Sequence, residues 1–466
     1  MRKKYYQNAM YVFVLIILSA NNLIGQQMIS YNLQNLPQRN YMNPAFSPKS
    51  KIHIGIPLIS GISYNYANSG FQYSDLFRRN ETGVLILDIG NSISNMQDKN
   101  YLSLAVETDL FAIGIRSGKS YFTFNATEKA VLDFRFTKST MEFLYEGNAG
   151  SAGTVKEINP GLEAIHYREY GLAWSRNIGK IVTAGVRVKY LYGMEHALTK
   201  GNGVSMYTDP VDFTITAKTD YTIYTSGTDN SAFEDFNISN YAFGKKNTGY
   251  GADAGIIIKP SSAFEFSASV TDFGYINWNT GNAVYHTATN DTDFVYSGIQ
   301  LDEFINNDSL DGEAYFQNIA DSLYNTFNIT TTHESYKSKL PAKIYVSGSF
   351  YISPQYRISA MVRNKTNSHG STTDYNLSFT GSSKQWLNYS IGINKAAEIP
   401  ATLGAGFTLN LRSKQIYFAS DNVYGLINWK KSSNTGFRAG INLVFGTKTK
   451  KPKPPQPNLA EVTPVN

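Results

Sequence analysis

Residues Ala401 to Leu411 read ATLGAGFTLNL, with apolar or small side chains on every odd position and threonine, glycine or asparagine on the even ones. The stretch Phe437 to Phe445, FRAGINLVF, follows nearly the same alternation. Successive side chains of a β-strand point to opposite sides, so a period of two predicts strands with one apolar and one polar face. An α-helix would distribute the same residues around its circumference.

Outward from this stretch, seven segments of this kind occupy residues 342–445, and short connections alternate with long ones. The short connections are 353–354, 381–385 and 412–413, and the long ones are 277–340, 364–372, 395–400 and 422–435. Short turns at one end and long loops at the other are typical of transmembrane barrels, whose closure leaves no strand edge in lipid. The sequence therefore predicts an all-β fold, a transmembrane antiparallel up-and-down β-barrel.

The N-terminal strands are less regular. A strand is predicted at 54–66 although Pro57 lies inside it, which indicates an edge, a bulge or a kink. In the next strand the apolar residues shift from even to odd positions, which predicts a β-bulge in the wall at Glu107, Thr108, Asp109 and Leu110. The up-and-down order requires strands at both 207–217 and 221–225, which brings the count to sixteen.

The chain begins with the pattern of an export signal. Arg2, Lys3 and Lys4 precede an apolar run at 12–18 that is too short to span a bilayer, and small or polar residues follow up to Gly25. Residues 1–25 are therefore predicted to be a signal peptide. Cysteine is absent, which excludes disulfides and thiolate metal sites.

The composition indicates contact with a membrane boundary rather than binding to a nucleic acid. Only 17% of residues are charged, whereas the chain carries 33 tyrosines and 27 phenylalanines. The 42 basic residues barely exceed the 36 acidic ones and are dispersed, so no nucleic-acid partner is expected. The expected location is the outer membrane, with its lipid as a partner.

A polar segment at 26–50 precedes the first strand and contains the turn Asn43, Pro44, Ala45 and Phe46. This turn resembles the N-terminal motif of FadL-like outer-membrane barrels, including Bacteroidota barrels of the PorV and PorP/SprF type associated with type IX secretion. The motifs at 270–276, VTDFGYI, and 422–425, NVYG, resemble a Bacteroidota family of unknown activity. The resemblance implies about 14 strands, giving a range of 14–16, and an N-terminal plug or hatch segment in the lumen. The alternative is an ordinary proline turn that leads into a strand.

Two other predictions concern the interior. Residues 138–145 have the spacing of two helical turns, either a second plug element or a loop helix. Arg357, Arg363 and Arg438 fall on polar strand faces and are predicted to face the lumen. The six histidines lack ligand spacing, and the acidic turn at 290–293 is expected to be solvated rather than to bind calcium. No catalytic motif is present, so we expect a non-enzyme without a cofactor.

Two functions fit this architecture. The first is an accessory or scaffold subunit of a larger outer-membrane assembly for secretion, surface lipoprotein handling or barrel insertion. The extracellular insertion 277–340 and the periplasmic Lys/Pro-rich tail 447–466 would then contact other outer-membrane or periplasmic proteins. The second is a FadL-like transporter of hydrophobic or amphipathic small molecules. In both, residues 51–446 form the barrel and both termini lie in the periplasm.

Overall fold

The computed structural model describes residues 28–79, 81–146, 150, 152–212, 214–227, 247–279, 283–289, 294–296, 330–383, 386–396 and 399–446. Within these residues, fourteen antiparallel strands form a closed barrel, which confirms the predicted fold class. The strands are β1 (Ile52–Gly55 with Ile62–Asn68), β2 (Lys99–Ser117), β3 (Ser120–Thr137), β4 (Gly161–Ile178), β5 (Val182–Thr208), β6 (Asn247–Ile258), β7 (Phe264–Trp278), β8 (Ala342–Tyr351), β9 (Tyr356–Asn367), β10 (Gly370–Ser383), β11 (Leu387–Ala396), β12 (Ile399–Leu411), β13 (Lys414–Ser420) and β14 (Asn434–Phe445).

Strand β1 closes the barrel because it pairs with both neighbours. Ile54 lies opposite Ile113 of β2 on one side and opposite Leu443 of β14 on the other. The beginning of β1 and the end of β14 therefore lie at one end of the barrel, together with the tight turns of the other strands. We call this the short-turn end and the opposite one the long-loop end.

The two faces of the wall differ in chemistry as the alternation predicts. Large apolar side chains such as Leu172, Val188 and Leu403 face outward and are more than half exposed. The opposite faces carry buried serines, threonines, asparagines and charged residues. Barrel closure leaves no free strand edge in lipid, and the charged side chains lie inside, so the protein is an outer-membrane barrel. None of the described helices is long and apolar enough to cross a membrane.

The count of sixteen strands is wrong because alternation also continues beyond the barrel. Strand β5 runs on to Thr208, and the strand Ile215–Ser226 pairs back onto this extension, whereas β6 pairs with β5 directly. Neither 207–217 nor 221–225 is therefore a separate strand of the barrel, and leaving both out gives fourteen strands in up-and-down order. Shorter strands enlarge the long-loop end or lie in its loops: Phe77–Arg79, Leu85–Leu87, Val155–Ile158, Ala283–Thr289, Phe294–Tyr296, Thr330–Thr332 and Tyr336–Lys339.

Two connections that were predicted to be long are tight. Strands β9 and β10 continue to Asn367 and from Gly370, which pair with each other, and β11 and β12 are separated by two residues only. Polar residues near these turns were interpreted as loop although they belong to paired strands. The alternation of short and long connections therefore fails at these two positions.

The helices are short: α1 (Met28–Asn32), α2 (Tyr73–Leu76), α3 (Ile89–Ser94), α4 (Lys138–Glu146) and α5 (Val423–Ile427), with 3₁₀ turns at Pro37–Tyr41 and Trp429–Lys431. Helix α4 matches the helical spacing predicted at 138–145. It packs through Met141 against a cluster with Ile93 and Phe136, while Tyr145 remains 54% exposed. It is therefore a helix of the long-loop end rather than a second plug element.

Candidate functional site

The N-terminal segment 28–50, which we call the hatch segment, lies inside the barrel. Its helix α1 is fully buried and contacts strands β10 to β13. The Asp421 carboxylate accepts hydrogen bonds from the Met28 and Ile29 amides at 2.7 and 2.8 Å, and Asn32 Nδ2 donates to Asn376 Oδ1 at 3.0 Å. These contacts satisfy the first amides of the helix and fix it to the wall.

The turn Asn43 to Phe46 is held against the opposite wall. Asn43 Oδ1 accepts from the Ala45 amide at 2.9 Å, and Asn43 Nδ2 donates to the Ala268 carbonyl of β7 at 3.3 Å. Gly185 and Gly255 lie opposite each other in β5 and β6, and a Cβ at Gly185 would overlap the Pro44 carbonyl. The paired glycines thus leave a depression that the Asn-Pro-Ala turn fills.

Toward the long-loop end, ion pairs line the inner face of the wall. Lys189 Nζ lies 2.6 Å from Asp272 Oδ1 and 2.8 Å from Asp253 Oδ1, and Lys343 Nζ lies 2.9 Å from Asp272 Oδ2. Asp272 has a φ of 60° at a β-bulge of β7, and its carboxylate faces lysines from three other strands, since Lys129 Nζ of β3 also lies 3.6 Å from Oδ1. We call this set, with the neighbouring pairs Lys129 with Glu169 and Arg438 with Glu107, the charge network.

Strand β1 is interrupted at residues 56–61. Gly55 pairs with Asn442 of β14 and Ile62 pairs with Ala439. The chain advances seven positions in β1 while it advances only three in β14, so β1 contains four extra residues. Leu58 has a φ of 66°, and its side chain is 58% exposed on the outer face, next to Ile59 at 42%. A left-handed conformation at a leucine costs roughly 1–2 kcal/mol, so the surrounding contacts impose it.

The hatch segment touches this interruption from inside. Gln38 Nε2 donates to the Ser60 carbonyl at 3.0 Å and to Asn442 Oδ1 at 2.9 Å, and the Tyr417 hydroxyl donates to the Ser60 carbonyl at 2.8 Å. Ser60 is fully buried, whereas Leu58, two residues earlier, faces the lipid side. The interruption therefore links the outer surface of the wall to the hatch segment through a few residues.

The residues predicted for the wall bulge lie beside the interruption. The register of β2 with β3 shifts between Asp109 and Phe111, so Leu110 is the extra residue. The Asp109 carbonyl accepts from the Leu58 amide at 2.8 Å, Thr108 Oγ1 donates to the Leu58 carbonyl at 3.2 Å, and Glu107 pairs with Arg438. Irregularities of two neighbouring strands thus meet at one place in the wall.

The three predicted lumen arginines are buried inside the barrel. Arg363 pairs with Asp374, Arg438 pairs with Glu107, and Arg357 Nη2 donates to the Asn32 carbonyl of the hatch segment at 2.7 Å. Arg39 of the hatch segment lies near Arg357. Burial, and then the like charge of Arg357, lowers the pKa of the Arg39 guanidinium to about 10.

Sequence reasoning singled out Glu107 of the charge network but missed its other acidic members and the two glycines behind the turn. Asp272 belongs to the quoted motif VTDFGYI, and a charged residue at a break in the alternation was its available signal. Gly185 and Gly255 carry no such signal, because only strand pairing makes them neighbours. The signal peptide 1–25, the tail 447–466, the acidic turn 290–293 and most of the insertion 277–340 lie outside the described residues.

A closed barrel with an apolar outer face and a lumen occupied by an N-terminal segment defines the class of this protein: an internally plugged outer-membrane barrel. The chain belongs to the family described as "Family of unknown function (DUF5723)", which matches residues 44–421.

Similar solved structures include the Pseudomonas putida toluene transporter TodX, with 9% identity, 91% of this chain and 98% of that chain covered, and a TM-score of 0.39. A Pseudomonas aeruginosa FadL homologue has 10% identity, 92% and 100% coverage, and a TM-score of 0.44. The Ralstonia pickettii toluene transporter TbuX has 10% identity, 91% and 100% coverage, and a TM-score of 0.41. No curated protein matches the sequence.

Proposed function

We propose that this barrel is a FadL-like transporter that admits hydrophobic or amphipathic small molecules through the interruption of its wall. The observation that carries the proposal is the direct contact between that interruption and the hatch segment. Between a solute that reaches Leu58 and Ile59 from the lipid and Gln38 of the hatch segment lie Ser60 with its hydrogen bonds and a few backbone hydrogen bonds to the neighbouring strands.

The energetics of this place favour a gate rather than a fixed wall. The carbonyl of Ser60 is held by side-chain donors instead of a continuous strand ladder, and Leu58 has a strained backbone. Each neutral hydrogen bond contributes about 0.5–1.5 kcal/mol, so opening needs far less energy than separating two full strands.

The test removes the four extra residues of β1. Deletion of residues 58–61 leaves β1 with as many residues as the paired part of β14. Because an even number of residues is removed, every later side chain stays on the same face of the strand. We expect the unaltered protein to increase influx of the hydrophobic dye N-phenyl-1-naphthylamine into reconstituted vesicles. The deletion variant should fall to the level of protein-free vesicles while it retains the heat-dependent gel migration of a folded barrel.

Gly348→Ala is the matched control, because a Cβ there meets only the Phe266 ring at 3.6 Å. Its influx should equal that of the unaltered protein. The transport proposal is wrong if a folded deletion variant conducts the dye as well as the unaltered barrel, or if the unaltered barrel conducts none.

The accessory role, with PorV-like or type IX secretion partners, stays a prediction. It depends on the insertion 277–340 and the tail 447–466, and neither the tail nor residues 297–329 belong to the described part of the chain. The orientation, with both termini periplasmic and the long loops extracellular, is likewise a proposal. It rests on the rule that short turns face the periplasm.

A further inference from the structure

A cavity of about 240 Å³ lies between the hatch segment and the wall at the short-turn end. Its charged lining consists of four basic side chains and one acidic one: Arg39, Lys49, Lys259, Arg357 and Glu265. Arg39 and Arg357 are 8% and 2% exposed. An excess of buried positive charge is costly without an anion nearby, so the composition of this cavity requires an explanation.

Glu265 alone does not balance this charge, because its one carboxylate faces several cations. Oε2 lies 2.6 Å from Lys259 Nζ and accepts from the Tyr351 hydroxyl at 2.9 Å, while Oε1 lies 3.5 Å from Arg357 Nη1. The charge of Glu265 also attracts Arg39, so this one carboxylate is shared by one lysine and two arginines.

Both arginines have guanidinium N–H groups left that can donate hydrogen bonds to a further acceptor. They are anchored on consecutive carbonyls at the end of helix α1: Arg39 Nε donates to Tyr31 O at 2.7 Å and Arg357 Nη2 to Asn32 O at 2.7 Å. In the part of the chain that the structure describes, the buried Nε of Arg357 has no hydrogen-bond partner. An unsatisfied buried donor of a charged group costs free energy and points to an absent acceptor.

The two guanidinium groups also repel each other, which contributes to the lowered pKa of Arg39. The hatch segment keeps them together because α1 and the Pro37–Tyr41 turn are both buried against the wall. An anion between them would replace repulsion by attraction and satisfy the spare donors at the same time. Planar guanidinium groups match carboxylate and phosphate oxygens particularly well.

We propose that this cavity binds the carboxylate or phosphate group of a small organic anion between the guanidinium groups of Arg39 and Arg357. The apolar part of the anion lies against Phe46 and Ile257, which line the same cavity. The volume exceeds the roughly 150 Å³ of an apolar cavity that accepts benzene, so it holds a charged group with a short apolar chain. Lys49, which is exposed at the mouth, attracts the anion from the solvent.

Binding here does not require passage through the wall, so this inference holds or fails separately from the proposed transport. Because Arg39 belongs to the hatch segment and Arg357 to β9, a bound anion also joins the hatch segment to the wall. Occupancy should therefore raise the resistance of the hatch segment to proteolysis.

The experiment measures binding to the full chain in a non-ionic detergent by titration calorimetry. The probes are octanoate, octan-1-ol and inorganic phosphate. We expect octanoate to bind one saturable site at least tenfold more tightly than octan-1-ol, and phosphate to compete with it. Phosphate that binds more tightly than octanoate would identify a phosphate ligand, and the reverse order a carboxylate.

The variant Arg357→Gln should weaken octanoate binding by at least about tenfold, as loss of a charge-assisted hydrogen bond predicts. The control Arg176→Gln, at an exposed arginine outside the cavity, should bind as the unaltered chain does. If Arg357→Gln does not fold, the variant Lys49→Gln at an exposed position tests the proposal instead, and its octanoate affinity should fall about threefold. Equal binding of octanoate and octan-1-ol, absence of saturable binding, or unchanged affinity in a folded Arg357→Gln or in Lys49→Gln would overturn the proposal.

Discussion

The substitution Gly185→Ala should displace the hatch segment without dismantling the barrel. A Cβ at this position overlaps the Pro44 carbonyl and the Ala45 amide, and both are backbone groups that cannot rotate away. The Asn43 to Phe46 turn must therefore move off β5 and β6. The barrel itself keeps its pairing, because alanine is acceptable in a strand and the Gly185 backbone conformation is ordinary.

The magnitude follows from the contacts that the turn loses. Overpacking of a tight interior costs about 1–3 kcal/mol. The hydrogen bonds from Asn43 Nδ2 to Ala268 O and from Ser269 Oγ to Met42 O contribute about 0.5–1.5 kcal/mol each. Together they give about 2–6 kcal/mol, which shifts the ratio of bound to displaced hatch segment by roughly 30-fold to 20,000-fold.

The assay is single-channel conductance in planar bilayers combined with limited proteolysis of the hatch segment. Gly185→Ala should show frequent open events and rapid cleavage near residue 40, whereas Gly348→Ala should behave as the unaltered protein. Gly255→Ala should give a smaller effect, since the new Cβ meets chiefly the end of the Asn43 side chain. A folded Gly185→Ala barrel with unchanged conductance and proteolysis would show that the turn does not hold the hatch segment in place.

Three further predictions follow from the wall and its termini. Asp272→Asn removes the carboxylate shared by three lysines and should lower the free energy of unfolding in detergent by about 3–5 kcal/mol, while Asp212→Asn in an exposed loop should change it little. Leu172→Arg places a charge on the lipid face and should destabilise the barrel in lipid vesicles by about 2–4 kcal/mol; an equal loss from Lys119→Arg in a turn would contradict the membrane assignment. Deletion of 447–466 should leave folding unchanged and reduce recovery of co-purifying envelope proteins; unchanged recovery would remove the tail from the accessory hypothesis.

The sequence predicted the architecture because a period of two is a local property. Each segment such as 401–411 shows by itself which face is apolar, and the faces together indicate a barrel. The same local rule could not give the strand count. The segment 215–226 alternates like a barrel strand, yet it pairs with the part of β5 that projects beyond the barrel.

Of the candidate site, the sequence predicted only the positions that interrupt the regular alternation of strand residues. The turn 43–46 and the bulge at 107–110 disturb the alternation, so the sequence itself marks them. The residues that surround them carry no such mark. Gln38 and Ser60 are ordinary polar residues until folding brings the hatch segment against the interruption of β1.

By itself, the sequence determined that this chain forms strands with one oily and one polar face, and that irregular segments interrupt them near the N-terminus. Only the tertiary structure decided which buried charges meet. Arg39 and Arg357 are remote in the chain, as are Lys189, Asp272 and Lys343, and their encounters depend on strand register and on the path of the hatch segment. The physical reason is that alternation is fixed by neighbours along the chain, whereas electrostatic energy is fixed by neighbours in space.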